Sequence, residues 1–401
     1  MRRNYNKLVE ELNHKSSKTG YQNSLGPIIR EERFKRNLTQ GEVAKGICSI
    51  SYLSKIENGL YDNKNLYVQE IVRRLNLDIN RYHTFDYSKS ILKAVRYLYQ
   101  SDADGLTKLR SEFGKPFVPA EWIIELAHSV LQQTDASEAI EVLDVNRKSL
   151  SKIELHAFLI MYCLHELAAY RTSTVEHILQ SIAILETDSV EFHVLGSWAH
   201  ARYYMVTGKY TIAGFYLSQI LSNHGPMLVD RWRMDVVSTQ LLIFAMSKET
   251  QIGPLLIAKA EGIATPSHWY TYALAFYYMQ INHYDKAIQL FLKSKECHFG
   301  PSILGIIECS YRANNIELLN EYYAIINEKL PGSFYEKIAY MFVLVSQPKL
   351  EQAKVYITHI LQPMFQSFSH DYYHGVAITF VSEYFRSVSR YKQVDLLRLK
   401  R

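Results

Sequence analysis

Apolar residues recur every three or four positions in four short segments between residues 25 and 75. This spacing is typical of helices that bury one face, and capping signals mark the ends of the segments. Ser24, Thr39 and Ser49 each offer a hydroxyl to a helix N-terminus, and Glu42 stands three residues after Thr39, as a capping box requires. The pattern predicts helices over residues 24–37, 39–47, 49–58 and 65–75, with Pro27 in the first turn of the first helix and Gly59 ending the third from the left-handed conformation.

One face of each predicted helix carries residues for a shared small core. These residues are Ile28, Val43, Ala44, Ile47, Leu53, Ile56, Ile71 and Leu75. Four helices of this length, with a tight turn between the second and the third, predict a helix-turn-helix unit over residues 25–83. The basic, polar leader over residues 1–24 is predicted to be a mobile arm or a short helix followed by a linker.

From about residue 85 onward the pattern is helical almost throughout, and it repeats itself. The stretch Ala201, Tyr204, Gly208, Tyr210, Ala213, Leu217, Ile220 recurs as Ala275, Tyr278, Asn282, Tyr284, Ala287, Phe291, Ser294. Small residues allow two helices to approach, an aromatic residue fills the gap between them, and Gly or Asn permits the turn. These positions resemble the tetratricopeptide pattern of tandem helix pairs.

The aromatic or apolar anchor of each unit recurs with nearly constant spacing. Tyr204, Phe244, Tyr278, Tyr311 and Leu344 stand about 40, 34, 33 and 33 residues apart, near the roughly 34-residue tetratricopeptide period. More degenerate units surround Tyr97, Val130, Ala168 and Phe385, and prolines at the predicted ends of second helices are Pro226, Pro266, Pro331 and Pro363. The pattern predicts an all-α protein whose residues 84–401 form an α-solenoid of eight or nine helix pairs. An irregular helical domain with chance spacing is the alternative.

Positive charge is concentrated at one end of the chain. Of the 401 residues, the first 83 include 15 basic and 9 acidic side chains, whereas the remainder includes 30 and 31. A basic excess confined to one small domain is what a phosphate-binding surface needs, although a solvated basic surface has the same charge. The hydrophobic fraction of 48% is too high for a disordered chain.

Cysteine use and hydropathy favour a reducing, aqueous compartment. Cys48, Cys163, Cys297 and Cys309 form no CxxC pair, so no disulfide framework is predicted. The N-terminus lacks the apolar stretch of a secretory signal, and no apolar run approaches the roughly 20 residues that span a bilayer. We expect a cytoplasmic protein with no membrane segment and no cofactor.

The chain shows no motif of catalysis or metal binding. It contains no GxGxxG, P-loop, HExxH or GxSxG sequence, so we predict no catalytic residues and no enzyme. His156, Cys163 and His165 are close in sequence but lack the i, i+4 spacing that places two ligands on one helical face. We expect them to pack in the core.

The helix-turn-helix supplies candidate DNA contacts. In such a unit the third helix lies in the major groove, with its first residues at the base edges. Leu53 and Ile56 must face the core, which turns hydroxyl, aromatic and ammonium groups outward, and the Tyr52 ring is expected at a thymine methyl. Gln40 begins the second helix, where the helix dipole attracts a phosphate. The candidate DNA-binding residues are Gln40, Ser49, Ser51, Tyr52, Ser54 and Lys55.

These motifs resemble those of a known family. The runs Leu38-Thr39-Gln40, Glu42-Val43-Ala44 and Ile50 to Gly59 resemble the xenobiotic-response-element type of helix-turn-helix. With the repeats behind them, the chain resembles the RNPP quorum-sensing regulators of Firmicutes, particularly their NprR and PlcR branches. The resemblance implies a homodimer on a palindromic DNA operator, with a short linear oligopeptide bound in the groove of the repeats.

Two alternatives remain open. The segment from Tyr203 to about His298 is similar in layout to the arbitrium receptors of Bacillus phages, which choose between lysis and lysogeny, and this implies the same mechanism in a different biology. The other alternative is a repeat module that sequesters a regulatory protein partner, as dual-function RNPP members do.

A peptide groove requires polar groups for the peptide backbone and aromatic walls for its side chains. Counted from the anchors, the candidates on the inner face of the first helices are Trp198, Arg202, Asp235, Trp269, Tyr272 and Arg312. Arg202 or Arg312 is expected to pair with a terminal carboxylate. The alternative for each residue is a packing or surface role within the repeats.

Overall fold

The computed structural model describes residues 5–15, 25–58, 61, 65–77, 87–113, 116, 118–168, 171–185, 187–263, 267–347, 350–367 and 371–387. All regular structure in these ranges is helical, which confirms the all-α prediction. The chain divides into two compact units, residues 1–200 and residues 201–401. The predicted domain boundaries at residues 24 and 83 fall outside the described residues and stay predictions.

Among the described residues, the first unit contains a leader helix, four short helices and three helix pairs. They are α1 (Asn6–Lys15), α2 (Gly26–Lys35), α3 (Gln40–Ala44), α4 (Ile50–Glu57), α5 (Leu66–Arg74), α6 (Tyr87–Gln100), α7 (Ala103–Ser111), α8 (Pro119–Gln132), α9 (Ser137–Val145), α10 (Lys152–Ala168) and α11 (Thr172–Ile184). A 3₁₀ turn over Arg147–Ser149 follows α9.

The remaining helices begin with α12 (Val190–Val206), which spans the division between the units. They continue as α13 (Tyr210–His224), α14 (Asp230–Met246), α15 (Gly253–Glu261), α16 (His268–Gln280), α17 (Tyr284–Ser294), α18 (Phe299–Arg312), α19 (Ile316–Lys329), α20 (Phe334–Ser346), α21 (Leu350–Tyr356), α22 (Gln362–Ser367) and α23 (Asp371–Ser387).

Two of the predicted helix caps form as the sequence indicates. The Thr39 hydroxyl accepts a hydrogen bond from the backbone N–H of Glu42 at 3.2 Å, and the Glu42 carboxylate accepts one from the backbone N–H of Thr39 at 2.6 Å. The Ser49 hydroxyl accepts from the backbone N–H of Tyr52 at 3.1 Å, which starts α4. These bonds satisfy N–H groups that a helix start leaves unpaired.

Two helix ends differ from the prediction. Helix α2 ends at Lys35 and α3 at Ala44, before the predicted ends at residues 37 and 47, because Asn37 and Gly46 adopt positive φ angles of 54° and 77°. A residue in the left-handed region cannot continue an α-helix. Helix α2 has Leu25 as its N-cap residue; the predicted cap Ser24 and the predicted stop Gly59 lie outside the described residues.

Helices α2 to α5 enclose the predicted small core. Its buried members are Ile28, Val43, Ala44, Leu53, Ile56, Ile71 and Leu75. Ile47 is only half-buried, because it follows Gly46 beyond the end of α3. The apolar spacing therefore predicted this core with one exception.

The leader forms a helix that packs against α10 and α11. Tyr5, Val9 and Leu12 are buried there. The Tyr5 hydroxyl donates to Asp144 Oδ1 at 2.5 Å, and the Ser181 hydroxyl donates to Asn6 Oδ1 at 2.5 Å. Of the two forms left open for the leader, the helix is the one present over residues 6–15.

The predicted repeats are helix pairs, eight of which lie in the described ranges, from α6 and α7 to α20 and α21. In six pairs the turn between the helices holds a residue with positive φ; these residues are Ser101, Gln133, Gly208, Lys248, Asn282 and Asn314. Gly208 and Asn282 are the two turn residues that the sequence repeat identified. The turn chemistry expected of Gly and Asn is confirmed, and Ser, Gln and Lys adopt the same conformation at other turns.

One backbone hydrogen bond closes these turns. In seven pairs an N–H after the turn donates to the carbonyl five residues earlier, at 2.8–3.0 Å. The accepting carbonyls belong to Tyr97, Ser129, Glu166, Tyr204, Phe244, Tyr278 and Ser310. This bond satisfies a helix-end carbonyl while the chain reverses, and its acceptors coincide with the predicted anchors or lie within two residues of them.

The prolines follow the prediction in part. Pro226 and Pro331 each lie two residues after the end of a second helix, α13 and α19, and Pro266 lies outside the described residues. Pro363 instead lies inside a helical stretch, just after a π-helical turn over Ile357–Leu361. A proline has no N–H for the i−4 carbonyl, and a wider π turn accommodates that loss.

The three residues considered for metal binding belong to the helical interior. His156 and Cys163 are buried, and His165 is half-buried. Burial lowers the pKa of His156 to about 3, so its imidazole is neutral. Within the part of the chain that the structure describes, no helix is long and apolar enough to cross a bilayer.

Two helix-interior glycines provide a test of the packing between pairs. A Cβ at Gly305 of α18 would overlap the ring of Phe291, which is fully buried, whereas a Cβ at Gly214 of α13 would meet no atom within 4 Å. We expect Gly305→Ala to destabilise the second unit by about 1–3 kcal/mol through overpacking. Gly214→Ala should stabilise it by about 0.5–1 kcal/mol, because alanine favours the helix.

Urea unfolding of both variants, followed by far-ultraviolet circular dichroism, measures the difference. A Gly305→Ala protein as stable as the unmodified chain would contradict the close approach of α17 and α18.

Candidate functional site

Helix α4 is held by its apolar face and leaves a polar face exposed. Leu53 and Ile56 are buried in the core of the first four short helices. Ser51 and Lys55, one turn apart, are exposed, and Ser49 caps the helix beside them. A helix presented in this way can enter a major groove with a hydroxyl and an ammonium near base edges.

Tyr52 is placed differently from the expectation that its ring meets a thymine methyl. Its ring stacks on Tyr61 at a centroid distance of 4.3 Å and meets Tyr67 edge-on at 5.0 Å. Its hydroxyl accepts a hydrogen bond from the Asn65 amide at 3.1 Å. The ring is therefore half-buried in a tyrosine cluster that joins α4 to the start of α5.

Ile50 is a residue that the sequence analysis did not select. Its side chain is 56% exposed in the first turn of α4, directly after the Ser49 cap. An exposed aliphatic group at this position can contact a thymine methyl, the role expected of Tyr52. Its place immediately after the cap was the available signal, but an apolar residue is normally assigned to the core.

A buried ion pair fixes α4 to α2. Arg33 Nε donates to Glu57 Oε1 at 2.6 Å, and Arg33 Nη2 donates to Glu57 Oε2 at 3.0 Å. A third donor, Arg33 Nη1, reaches the Leu38 carbonyl at 3.0 Å. The two side chains are only 8% and 3% exposed, so this bidentate pair is shielded from solvent.

Gln40 belongs to the same network. Its side-chain amide donates to Glu57 Oε2 at 2.8 Å, so the amide that was expected at a phosphate is bonded within the protein. Ser54 is half-buried on the flank of α4, where its carbonyl accepts from the Asn58 amide at 2.7 Å. Gln40 and Ser54 thus lie beside the exposed face of α4 rather than on it.

In the second unit, three of the candidate groove residues come together. The Trp269 indole N–H donates to the Thr239 hydroxyl at 3.0 Å, and that hydroxyl donates in turn to the Asp235 carbonyl at 2.7 Å. The Trp269 ring stacks on Tyr272 at 5.4 Å and meets His298 edge-on at 5.4 Å. Helices α14, α16 and α18 therefore share one patch, called here the tryptophan patch: Asp235, Thr239, Trp269, Tyr272 and His298.

The tryptophan patch carries a half-buried acid. Burial raises the pKa of Asp235, and Arg231, whose guanidinium lies 3.9 Å from the carboxylate, opposes that rise. At this distance Arg231 makes only a weak pair, so Asp235 retains acceptor capacity. An amine is the group that such a carboxylate would bind.

Arg312 lies in a different cluster. Its Nη2 donates to Glu308 Oε1 at 2.7 Å and to the Tyr372 hydroxyl at 2.9 Å. Tyr372, at the start of α23, also donates to Glu308 Oε1 at 2.6 Å and accepts from the Gln280 amide at 2.8 Å. The guanidinium expected at a peptide carboxylate thus already has a buried carboxylate partner.

The remaining two candidates lie on α12. Trp198 and Arg202 are one turn apart, and both are half-buried. The members of the Arg312 cluster that the sequence analysis missed are Gln280, Glu308 and Tyr372. The i, i+4 spacing of Glu308 and Arg312 was a signal for their pairing, whereas no local pattern connects Tyr372 to a helix some 60 residues earlier.

Comparison with known proteins agrees with the first unit's local structure. Residues 29–80 match the helix-turn-helix family model HTH_3, so this part of the chain is a helix-turn-helix domain. The sequence matches no curated protein. Among solved structures, the chain is similar to PlcR of Bacillus thuringiensis in complex with the peptide PapR7 and DNA, at 15% identity and a TM-score of 0.31, over 67% of this chain and 99% of that one.

The Arg33–Glu57 pair predicts a sharp local effect of mutation. Glu57→Leu leaves the Arg33 guanidinium buried without its carboxylate, and breaking a buried pair in this way costs about 3–5 kcal/mol. We expect amide hydrogens of residues 29–58 to exchange much faster with deuterium in this variant, as measured by mass spectrometry of the full chain.

Two further variants complete this experiment. The double replacement Arg33→Met/Glu57→Leu removes both charges and should restore most of the protection. Arg73→Gln removes one partner of an exposed pair with Glu70 and should leave exchange unchanged. Full protection in the Glu57→Leu protein would show that the ion pair does not fix α4.

Proposed function

We propose that this protein is a DNA-binding transcription regulator, switched by a short linear peptide that binds to the helix pairs of the second unit. The observation that carries the DNA-binding part is the exposed face of α4 in a helix-turn-helix domain. The resemblance of the sequence motifs to the RNPP regulators supports the peptide-switched part.

DNA recognition is assigned to the first turns of α4. Ser51 and Lys55 are exposed toward solvent, and Ile50 extends the same surface with an aliphatic group. Together they offer a donor, a cation and a methyl contact, which are the three elements of readout in a major groove. The excess of basic residues over the first 83 positions supports phosphate binding around this surface.

Peptide binding is assigned to the tryptophan patch. A peptide needs aromatic walls for its side chains and a charged group at one end, and Trp269 and Asp235 provide these in one patch, connected through the Thr239 hydroxyl. Asp235 would bind the amino terminus of the peptide. We do not assign Arg312 to the peptide, because its guanidinium is already bonded to the buried Glu308 carboxylate and to the Tyr372 hydroxyl.

We further propose the compartment, the oligomeric state and the biochemical class of the protein. It acts in the cytoplasm as a homodimer on a two-fold symmetric operator, without a cofactor and without catalysis. A quorum-sensing regulator and an arbitrium receptor of a phage would share this mechanism, and the sequence of the cognate peptide distinguishes them.

Lys55 and Ser51 provide the test of DNA reading. A duplex selected by the purified protein from a random library should bind Lys55→Ala more weakly by about 1–3 kcal/mol, because a base contact is lost. The difference in binding free energy between the selected duplex and a scrambled duplex should fall by the same amount. Fluorescence anisotropy at fixed salt measures both affinities, and Ser51→Ala should change the preferred base at one position.

The matched control is Lys108→Ala, which removes an exposed lysine of α7. It should leave the preference unchanged. Equal preference for the selected duplex in Lys55→Ala and the unmodified protein would overturn the assignment of α4. Tyr52→Ala is unsuitable for this purpose because it dismantles the tyrosine cluster.

Trp269 provides the test of peptide binding. Synthetic peptides encoded by small open reading frames beside the gene are titrated by calorimetry, and the one that binds is tested on variants. Trp269→Ala should weaken its binding by about 2 kcal/mol or more, as removal of a central aromatic anchor does. DNA affinity in the absence of peptide should stay the same.

Phe215→Ala serves as the aromatic control, since Phe215 on α13 is exposed and outside the tryptophan patch. Equal affinity of the peptide for Trp269→Ala and for the unmodified protein would show that the peptide binds outside the tryptophan patch. If no peptide binds, and the chain lacking residues 1–83 still captures a cellular protein, the repeats act as a protein-interaction module instead.

A further inference from the structure

A basic cavity lies beside the recognition helix, within the first unit. It has a volume of about 530 Å³. One wall comes from the helix-turn-helix, with Arg30 and Arg33 of α2 and Ser54 of α4. The other wall comes from Arg147 and Lys148 in the 3₁₀ turn after α9, which the helix-turn-helix match does not include.

The cations of this cavity are not equally available to a ligand. Arg33 is neutralised by Glu57. The Arg147 guanidinium donates to the Asp144 carbonyl at 2.6 Å and lies 3.5 Å from the Asp144 carboxylate. Within the described part of the chain, Arg30 and Lys148 make no ion pair; Arg30 lies over the exposed ring of Phe34, 5.8 Å from its centroid.

The lining therefore has surplus positive charge and a free hydroxyl. Four cationic side chains face a single carboxylate, that of Glu57. The Ser54 hydroxyl makes no hydrogen bond among the described residues, and it lines the same space. Guanidinium, ammonium and hydroxyl donors converging on one cavity are the set that binds a phosphate.

The position of the cavity indicates where that phosphate comes from. Ser54 lies on the flank of α4, next to the exposed face that carries Ser51 and Lys55. A duplex lying on that face passes one of its backbones along the flank. The apolar rim formed by Phe34 and Val145, which are 55% and 46% exposed, suits the sugar beside a phosphate.

We propose that this cavity binds a phosphate of the DNA backbone next to the bases read by α4, with Arg30 and Lys148 as its cationic contacts. The inference rests on the proposed DNA-binding function and extends the DNA-contacting surface beyond the helix-turn-helix. The leader also contributes to this site. The Tyr5 hydroxyl, directly before α1, donates to the Asp144 carboxylate, and the Arg147 guanidinium donates to the Asp144 carbonyl. These bonds attach α1 to the turn that carries Lys148.

The test compares the salt dependence of DNA binding in the full-length protein. Each lost phosphate contact lowers the slope of log affinity against log salt by roughly 0.9, so Arg30→Gln/Lys148→Gln should lower it by about 1.8 for each protomer on the DNA, or about 3.6 for the proposed dimer. At 0.1 M salt this corresponds to a roughly eightfold loss of affinity per contact. The loss should be equal on selected and scrambled duplexes, because phosphates carry no sequence information.

Lys93→Gln/Lys108→Gln is the matched control, because it removes two exposed lysines of α6 and α7 that do not line the cavity. Its slope should equal that of the unmodified protein. An unchanged slope in Arg30→Gln/Lys148→Gln, with DNA binding intact, overturns the cavity assignment alone. A failure of the unmodified protein to bind any duplex overturns the proposed function and this inference together.

A second arm separates a DNA phosphate from a free one. Inorganic phosphate is titrated into DNA-free protein at constant ionic strength, and the thermal unfolding midpoint is recorded. The decisive result would be a phosphate-induced rise in the unfolding midpoint of the unmodified protein that is lost in Arg30→Gln/Lys148→Gln, with no change in the slope of log DNA affinity against log salt. It would assign the cavity to a free phosphorylated ligand and overturn the DNA source. A lower slope of log DNA affinity against log salt in Arg30→Gln/Lys148→Gln supports the proposal, whether or not free phosphate also binds.

Discussion

One backbone hydrogen bond closes the turn in seven of the eight helix pairs that the structure describes. The last carbonyls of a first helix need partners, and the chain must reverse within three or four residues. A left-handed residue such as Gly208 or Asn282 meets both needs, because it aims the N–H of the following residue back at the carbonyl of Tyr204 or Tyr278. Within the second unit, this reversal lets α14 pack beside α16 and α18 beside α20, which brings Asp235 and Trp269 onto one patch.

The helix-turn-helix relies on a buried charge pair instead. Its core of short helices is small, and Arg33 with Glu57 ties α2 to α4 through two hydrogen bonds away from solvent. Gln40 completes the carboxylate's bonding. Because α4 is fixed from behind, its exposed residues are presented without using Ser51 or Lys55 for stability. Structural and recognition roles thus fall on different sides of the same helix.

Buried polar groups also connect segments that are far apart in the chain. Tyr5 reaches Asp144 in the first unit, and Tyr372 reaches Glu308 and Arg312 in the second. Burial raises the pKa of Glu308, and the donors Arg312 and Tyr372 oppose that rise. Each of these clusters attaches α1 or α23 to the helices against which it packs, in addition to buried apolar contacts such as Val9 of α1 and Val381 of α23.

Local signals were sufficient for much of this fold. Capping residues and apolar spacing predicted α3 to α5 and their core, and the alignment of Gly208 with Asn282 predicted the helix pairs, because caps and turns depend on residues within one turn of each other. The sequence could not decide which polar groups remain available for a ligand. Gln40 donates to Glu57, Tyr52 stacks on Tyr61 and Arg312 donates to Tyr372, partners that tertiary packing brings close, while Ile50 and the basic cavity are left exposed. Tertiary structure alone settled those partners, since a side chain's hydrogen bonds depend on distances in space and not on its own type.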